Sequence, residues 1–183
     1  RPPRSTLFPY TTLFRSSVIL IDKDKIVAVG HQGNLQVPDE YSIISTEGMS
    51  VLPGLWDMHV HLMINGHSDY THWDTAYIDR FESVIMPSSA HQLLMAGVTS
   101  ARDLGAPLDA SIRVRDKINK GELPGPTMYM SGPFLQHKPY PGTEAFRWGI
   151  NGVPDARAKV DKLANAGVDC IKMIDHDEMT FDE

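Results

Sequence analysis

A chain of 183 residues with 42% hydrophobic and 22% charged residues has the composition of a folded globular protein and does not indicate disorder. Its 17 basic and 23 acidic side chains give a formal net charge of -6, which disfavours nucleic acid and anionic membrane as partners. We expect no transmembrane helix, because no apolar run reaches about 18 residues, and the single cysteine, Cys170, excludes an internal disulfide.

The segment RPPRSTLFPYTTLFRS, residues 1–16, has no hydrophobic period and no acidic residue. Its two proline-interrupted apolar clusters fit neither a helix, nor a strand, nor the core of a signal peptide. A reverse translation of this segment resembles a widely used sequencing adapter read in frame. We therefore interpret residues 1–16 as an artefact, predict that they are disordered, and exclude them from the fold. The true N-terminus is then missing, which leaves an export signal open, and cytoplasmic localisation is favoured.

Residues 17–52 carry β-type patterns. In VILIDKDKIVAVG, two β-rich runs flank DKDK and predict a hairpin. The later stretch YSIISTEGMSVLPG predicts further short strands around a glycine turn. We interpret these residues as part of a small β-domain that precedes the main one.

Residues 53–183 alternate between strand and helix patterns. In chain order the segments are GLWDMHVHL, PSSAHQLLMAG, VTSARDL, LDASIRVRDKINKG, PTMYMSGPF, PDARAKVDKLANAG and VDCIKMI. Strands reached through helices imply a parallel sheet and an α/β fold, with a doubly wound sheet and a (β/α)₈ barrel both open. Long polar insertions over 63–80 and 136–153 leave the C-terminal ends of strands, where α/β folds build their sites.

The stretch DMHVHL carries the chemistry that is most specific to this sequence. Successive side chains of a strand point to opposite faces, so this stretch has an apolar and a polar face. The apolar face, which is predicted to pack under helices, contains Met58, Val60 and Leu62, and the polar face contains Asp57, His59 and His61. Imidazoles two residues apart on a strand can bind one cation, and zinc accepts neutral imidazole. The alternative is a pair of histidines that only form hydrogen bonds.

Three motifs together resemble the amidohydrolase superfamily, in the branch close to imidazolonepropionases and Xaa-Pro dipeptidases. VLPGLWDMHVHL and AGVTSARDLG resemble its first two barrel strands, and AGVDCIKM resembles the fourth. The resemblance implies a partial TIM (β/α)₈ barrel, with residues 53–183 as its N-terminal half and residues 17–52 as part of a small β-sandwich domain. The chain is then an N-terminal fragment of a longer enzyme.

The resemblance also implies a metal site. His59 and His61 match the histidine pair that binds the more buried metal, and Lys172 matches the lysine that carbon dioxide carboxylates to bridge two metals, most often zinc. A cationic neighbourhood favours the neutral amine, which is the form that reacts with carbon dioxide. For an isolated strand-end lysine, the alternative is a side chain that only reaches solvent. The other expected ligands, two histidines and the catalytic aspartate of strand eight, lie beyond Glu183, so we expect this chain alone to be inactive.

The implied activity is hydrolysis of an amide bond in a dipeptide or another small molecule by metal-activated hydroxide. One alternative is a mononuclear deaminase or an imidazolone-type cyclic amide hydrolase, which needs no bridging carbamate. The other is a non-catalytic relative that retains the fold. His137 and Tyr140, in the second insertion, are candidate substrate contacts, and Asp103 in the RD pair is a candidate partner of the metal ligands. The expected partner is a small-molecule or dipeptide substrate, and the complete protein could form a homo-oligomer.

Overall fold

The computed structural model describes residues 17–64 and 69–183. The interpretation of residues 1–16 as a disordered artefact lies outside these described residues. The chain divides into two compact units, and the boundary falls between Val51 and Leu52.

The first unit contains the hairpin that the sequence predicts. Strand β1, Ser17–Asp22, pairs antiparallel with β2, Lys25–His31. Lys23 adopts a left-handed φ of 57°, which lets the chain reverse between the two strands. The hairpin prediction is confirmed.

The short strands predicted after the hairpin are not formed. No strand occurs over residues 32–54 of the described chain, and the sheet of the first unit contains only β1 and β2. Ile43 and Ile44 are 83% and 86% exposed. A strand needs a neighbour for its N–H and C=O groups, and the hairpin does not pair with this segment, so β propensity alone does not order it as a strand.

The second unit alternates strands and helices, as predicted. Its elements in chain order are β3 Leu55–Val60, α1 Tyr70–Ala76, α2 Met86–Met95, β4 Val98–Asp103, α3 Leu108–Asn119, β5 Thr127–Met130, β6 Phe134–Gln136, β7 Arg147–Gly149, α4 Gly152–Asn165 and β8 Lys172–Met173. A 3₁₀ turn and a π-helical turn lead into α2. The insertions predicted to be long polar loops contain α1 and β7: Trp73 of α1 stacks on Tyr77, and Trp148 of β7 packs against the second buried apolar cluster.

Two parallel sheets of three strands form the second unit, with orders β3-β4-β5 and β7-β6-β8. The α/β class is therefore confirmed, and among the described residues the two sheets do not close into one barrel. The predicted third strand is divided into β5 and β6, since Gly132 between them has a φ of +67° that turns the chain. The predicted fourth strand contributes only Lys172 and Met173 to the ladder.

One face of the β3-β4-β5 sheet packs against helices. Ala101 and Met128, which are aligned in register, are buried with Val114 of α3 and Ala90 of α2. Removing these apolar side chains from water is the main term that holds the layers together. None of the helices in the described ranges is long and apolar enough to cross a membrane.

The other face of that sheet is open. Trp56 of β3 stacks on Tyr129 of β5 with ring centroids 5.7 Å apart, yet the two residues remain 56% and 38% exposed. Arg102 lies between them in the sheet, and its Nε donates a hydrogen bond to the Met58 carbonyl. The sheet thus has one face in the core and one lined by aromatic and cationic side chains.

Candidate metal centre

His59 and His61 lie at the C-terminal end of β3, where the strand leaves the sheet. Their ring centroids are 5.2 Å apart in an edge-on arrangement. The His59 N–H donates to the Asp57 carboxylate at 3.1 Å, which fixes the backbone just before the pair. The structure therefore brings both predicted imidazoles together at a strand end.

The strict alternation predicted for this strand does not hold throughout. Leu62 is 1% exposed and Val60 packs against the core, as expected for the apolar face, but Met58 is 47% exposed. The pairing with β4 is irregular between Asp57 and Val60, and such an irregularity changes which way successive side chains point. The predicted packing of Met58 under helices is therefore wrong.

His61 occupies an environment that favours its neutral form. Burial, reinforced by His59 and then by the positive charges of Lys172 and Arg147, lowers its pKa from 6.5 to about 4, although the Gly105 backbone acts in the opposite direction. Its Nδ1 atom is buried and has no hydrogen-bond partner of ordinary geometry. A neutral imidazole is the form that binds a metal ion.

Lys172 reaches the same region from the other sheet. It begins β8, where it is aligned with Phe134 of β6, and it is half-buried. The Phe134 ring lies 5.4 Å from the His61 ring, and the charge of Lys172 contributes to the lowered pKa of His61. The structure thus places the third predicted metal residue within electrostatic reach of the histidine pair.

Arg147 is part of this region and was not singled out by the sequence. Its guanidinium lies 5.0 Å from the centre of the Phe134 ring, on β6, and it contacts Asp74 at 3.6 Å. Both of these charged side chains are close to nine-tenths buried, at 12% and 11% exposure. The only signal in the sequence is a basic residue between two aromatic ones, in AFRWG.

Asp103 lies beneath the site at the end of β4. It is 1% exposed, and its two carboxylate oxygens accept the N–H groups of Leu62 and Gly105, each at 2.9 Å. Burial raises its pKa to about 7, while these two bonds act in the opposite direction. The neighbouring Arg102 points to the open face, where its Nε donates a hydrogen bond to the Met58 carbonyl.

The two candidate substrate residues lie farther out. His137 is exposed, and Tyr140 is 54% exposed with its ring 4.7 Å from the Arg147 guanidinium. Among the described residues, the rings and charges that surround His61 belong to His59, Phe134, Lys172 and Arg147. The structure therefore connects Tyr140 to the site only through Arg147, and it does not bring His137 to the histidine pair.

The donor atoms near His61 come from few residues. Within residues 17–64 and 69–183, no group of three or more His, Cys, Asp and Glu side chains is placed to hold one. The pair His59 and His61, however, offers two imidazole donors, and the buried Nδ1 of His61 lacks a hydrogen-bond partner of ordinary geometry. A lysine beside them becomes an oxygen donor only when it is carboxylated. These residues fit a divalent metal.

Three known proteins are similar to this chain in sequence or fold. Adenine deaminase 2 of Shouchella clausii (strain KSM-K16) is 38% identical over 53 residues, which is 29% of this chain and 9% of that protein. A prolidase complexed with N-methylphosphonate-L-proline is 22% identical with a TM-score of 0.68, over 85% of this chain and 40% of that one. Molinate hydrolase is 21% identical with a TM-score of 0.69, over 86% and 40%.

This chain thus spans well under half the length of the proteins it matches. The model of the Amidohydrolase family matches residues 50–183, which include the histidine pair, Asp103 and Lys172. The solved structures share the α/β fold of that same region. With most of its length matched, the chain belongs to the Amidohydrolase family.

Proposed function

We propose that the protein is a metal-dependent hydrolase that cleaves an amide bond in a small molecule, and that its substrate is a dipeptide such as Xaa-Pro. The observation that carries this proposal is the half-buried His61 beside His59 at a strand end: its pKa is lowered, and its buried Nδ1 has no hydrogen-bond partner of ordinary geometry. The prolidase with the same fold supports the choice of substrate. In this proposal residues 53–183 form the first half of a (β/α)₈ barrel, and the hairpin belongs to a β-sandwich.

Each site residue has a separate task in this proposal. His59 and His61 would hold one zinc ion, and Lys172, once carbon dioxide has carboxylated its Nζ with release of a proton, would supply an oxygen donor to that ion and to a second one. When bound, the metal pair supplies the Lewis acidity that lowers the pKa of water and polarises a carbonyl. Phe134 covers one side of the His61 ring and excludes water from it. Tyr140 and His137 contact the substrate from the insertion.

A deaminase is the second candidate, because the matched segment of adenine deaminase 2 reaches 38% identity. A deaminase that uses one metal does not need a bridging carbamate, so it does not require Lys172 for metal binding. A non-catalytic relative would need neither the metal nor the lysine. Lys172 therefore separates the binuclear hydrolase from the other two functions, and metal content separates those two from each other.

The test is Lys172→Ala in the protein expressed from its complete reading frame. We expect the wild type to hold two zinc ions and to hydrolyse Xaa-Pro dipeptides. The variant should lose at least one ion and turn over roughly 100-fold more slowly or worse. A short carboxylic acid should partly restore both, because it can occupy the bridge. Metal content by mass spectrometry and a dipeptide assay measure these effects.

Lys162→Ala is the matched control, since Lys162 is exposed on α4 with its Nζ 4.7 Å from the Trp148 ring. It should keep both metals and full turnover. A Lys172→Ala variant with two metals and normal turnover would overturn the binuclear proposal. A wild-type protein that binds one metal and deaminates adenine would favour the second candidate, and one that binds none would favour the non-catalytic relative.

A further inference from the structure

The buried position of Asp103 destabilises the fold unless its carboxyl group makes specific interactions. Burial of a carboxyl group costs free energy, and in the described part of the chain no ion pair reaches Asp103. Its oxygens are instead used separately, one on Leu62 N–H and one on Gly105 N–H. A carboxylate is the side chain that can accept from two separate backbone segments at once without also donating.

Both of those segments adjoin His61. Leu62 follows it directly in the chain, and the Gly105 backbone lies close enough to the imidazole to affect its pKa. Because two N–H groups converge on one carboxylate, neither the backbone after His61 nor the loop at Gly105 can shift without breaking a buried hydrogen bond. An unmade bond of this kind costs about 1 to 3 kcal/mol.

The same arrangement controls the wall of the site. A Cβ atom at Gly105 would lie 2.1 Å from the Phe134 ring, so that ring rests directly on the Gly105 backbone. Phe134 in turn lies edge-on to His61 at 5.4 Å. The His61 imidazole therefore lies between the backbone of Leu62, the backbone of Gly105 and the Phe134 ring that packs on Gly105.

We propose that Asp103 is a positioning residue of the metal centre, which holds His61 in its metal-binding orientation by tying Leu62 and Gly105 together. This inference rests on the metal-binding function proposed above. Asp103 contacts neither metal nor substrate in this arrangement. Its effect is transmitted through the backbone on both sides of the His61 ring.

The test compares two side chains that each make two hydrogen bonds to the backbone. Asp103→Asn keeps the shape but offers a single oxygen acceptor. Asn119→Ala also removes two backbone hydrogen bonds, at the opposite end of β5. There the Asn119 Oδ1 accepts the Met128 N–H at 2.9 Å, and its Nδ2 donates to the Met128 carbonyl at 3.1 Å. Zinc affinity is measured by chelator competition at 25 °C, and stability by urea unfolding.

We expect Asp103→Asn to weaken zinc binding by roughly 10- to 100-fold, the range typical for partners of metal ligands. Asn119→Ala should lose stability while its zinc affinity stays at the wild-type value. Equal affinities for wild type and Asp103→Asn would refute the positioning role, as would an equal loss in both variants. Failure of the wild type itself to bind zinc would instead contradict the proposed function.

A second measurement avoids mutation, in case Asp103→Asn does not fold. If the Asp103 hydrogen bonds and the metal act on the same His61 ring, zinc binding must in turn stabilise those hydrogen bonds. Hydrogen exchange of the wild-type protein should therefore slow more on zinc addition at the Leu62 and Gly105 amides than at the Met128 amide. Equal slowing at all three amides would show that Asp103 is not coupled to the site.

Discussion

Gly105→Ala tests how tightly the site wall is packed. A Cβ atom at this position would lie 2.1 Å and 2.2 Å from two carbons of the Phe134 ring, whereas ordinary contacts begin at 3.4 Å. The ring would have to recede by about 1.3 Å, the difference between 3.4 Å and 2.1 Å. Gly105 also has a φ of +157°, which side chains rarely adopt.

The ring has little freedom to recede. Phe134 is 3% exposed, and it packs against His61 at 5.4 Å and Phe146 at 6.2 Å, with the Arg147 guanidinium 5.0 Å from its centre. Overpacking of this kind costs about 1 to 3 kcal/mol, and an unfavourable φ adds about 1 kcal/mol. We expect Gly105→Ala to lower the free energy of unfolding by about 2 to 4 kcal/mol.

Urea unfolding measures this loss, with Gly167→Ala as the control. Gly167 has a φ of +83° and no atom within 4 Å of an added Cβ, so it reports the backbone term without the clash. In a double-mutant cycle, Phe134→Leu should offset part of the Gly105→Ala loss, because it removes the ring atoms that clash. A Gly105→Ala loss no larger than that of Gly167→Ala would refute the packing argument.

Two further predictions concern charged side chains. Burial raises the pKa of Asp103 from 3.8 to about 7, so the unfolded state loses this proton more readily, and the free energy of unfolding falls as the pH rises from 3.8 through 7. Urea unfolding of chelator-treated protein at several pH values should show this decline, of up to about 4 kcal/mol. Asp103→Asn should remove the decline, and an unchanged pH dependence in that variant would contradict the prediction. Arg115→Ala should cost about 1 to 3 kcal/mol in the free energy of unfolding, because Arg115 is 14% exposed and binds Asp169 at 2.9 Å. Arg113→Ala, at the more exposed pair with Glu82, should cost at most about 1 kcal/mol by the same measurement, and equal losses in both variants would count against this reasoning.

Helices α2, α3 and α4 of the second unit could be predicted because their signals are local. Helices α2 and α4 each stop just before a glycine with positive φ, Gly97 and Gly167, and both stops are visible in the sequence. The hairpin is equally local, since its strands are joined by a short turn. Elements that depend only on neighbouring residues need no knowledge of the rest of the fold.

The strands predicted near Ile43 failed for the converse reason. Their β-type pattern is genuine, but a strand exists only with a partner, and a sequence pattern does not state whether the partner is present. The division of the third strand at Gly132 depends on a turn that lets β6 pair with β7 and β8 instead of continuing the first sheet. Register and sheet membership are long-range properties, so local periodicity does not determine them.

The site divides in the same way. Sequence alone determined the pair of histidines at the end of one strand, because side chains only two residues apart in the chain lie near each other. Only the tertiary structure brought Phe134 and Arg147 to His61. It also showed that the Asp103 carboxylate joins Leu62, which is 41 residues earlier in the chain, to Gly105. Such contacts join segments that are distant in the chain, and their geometry is set by how the layers pack.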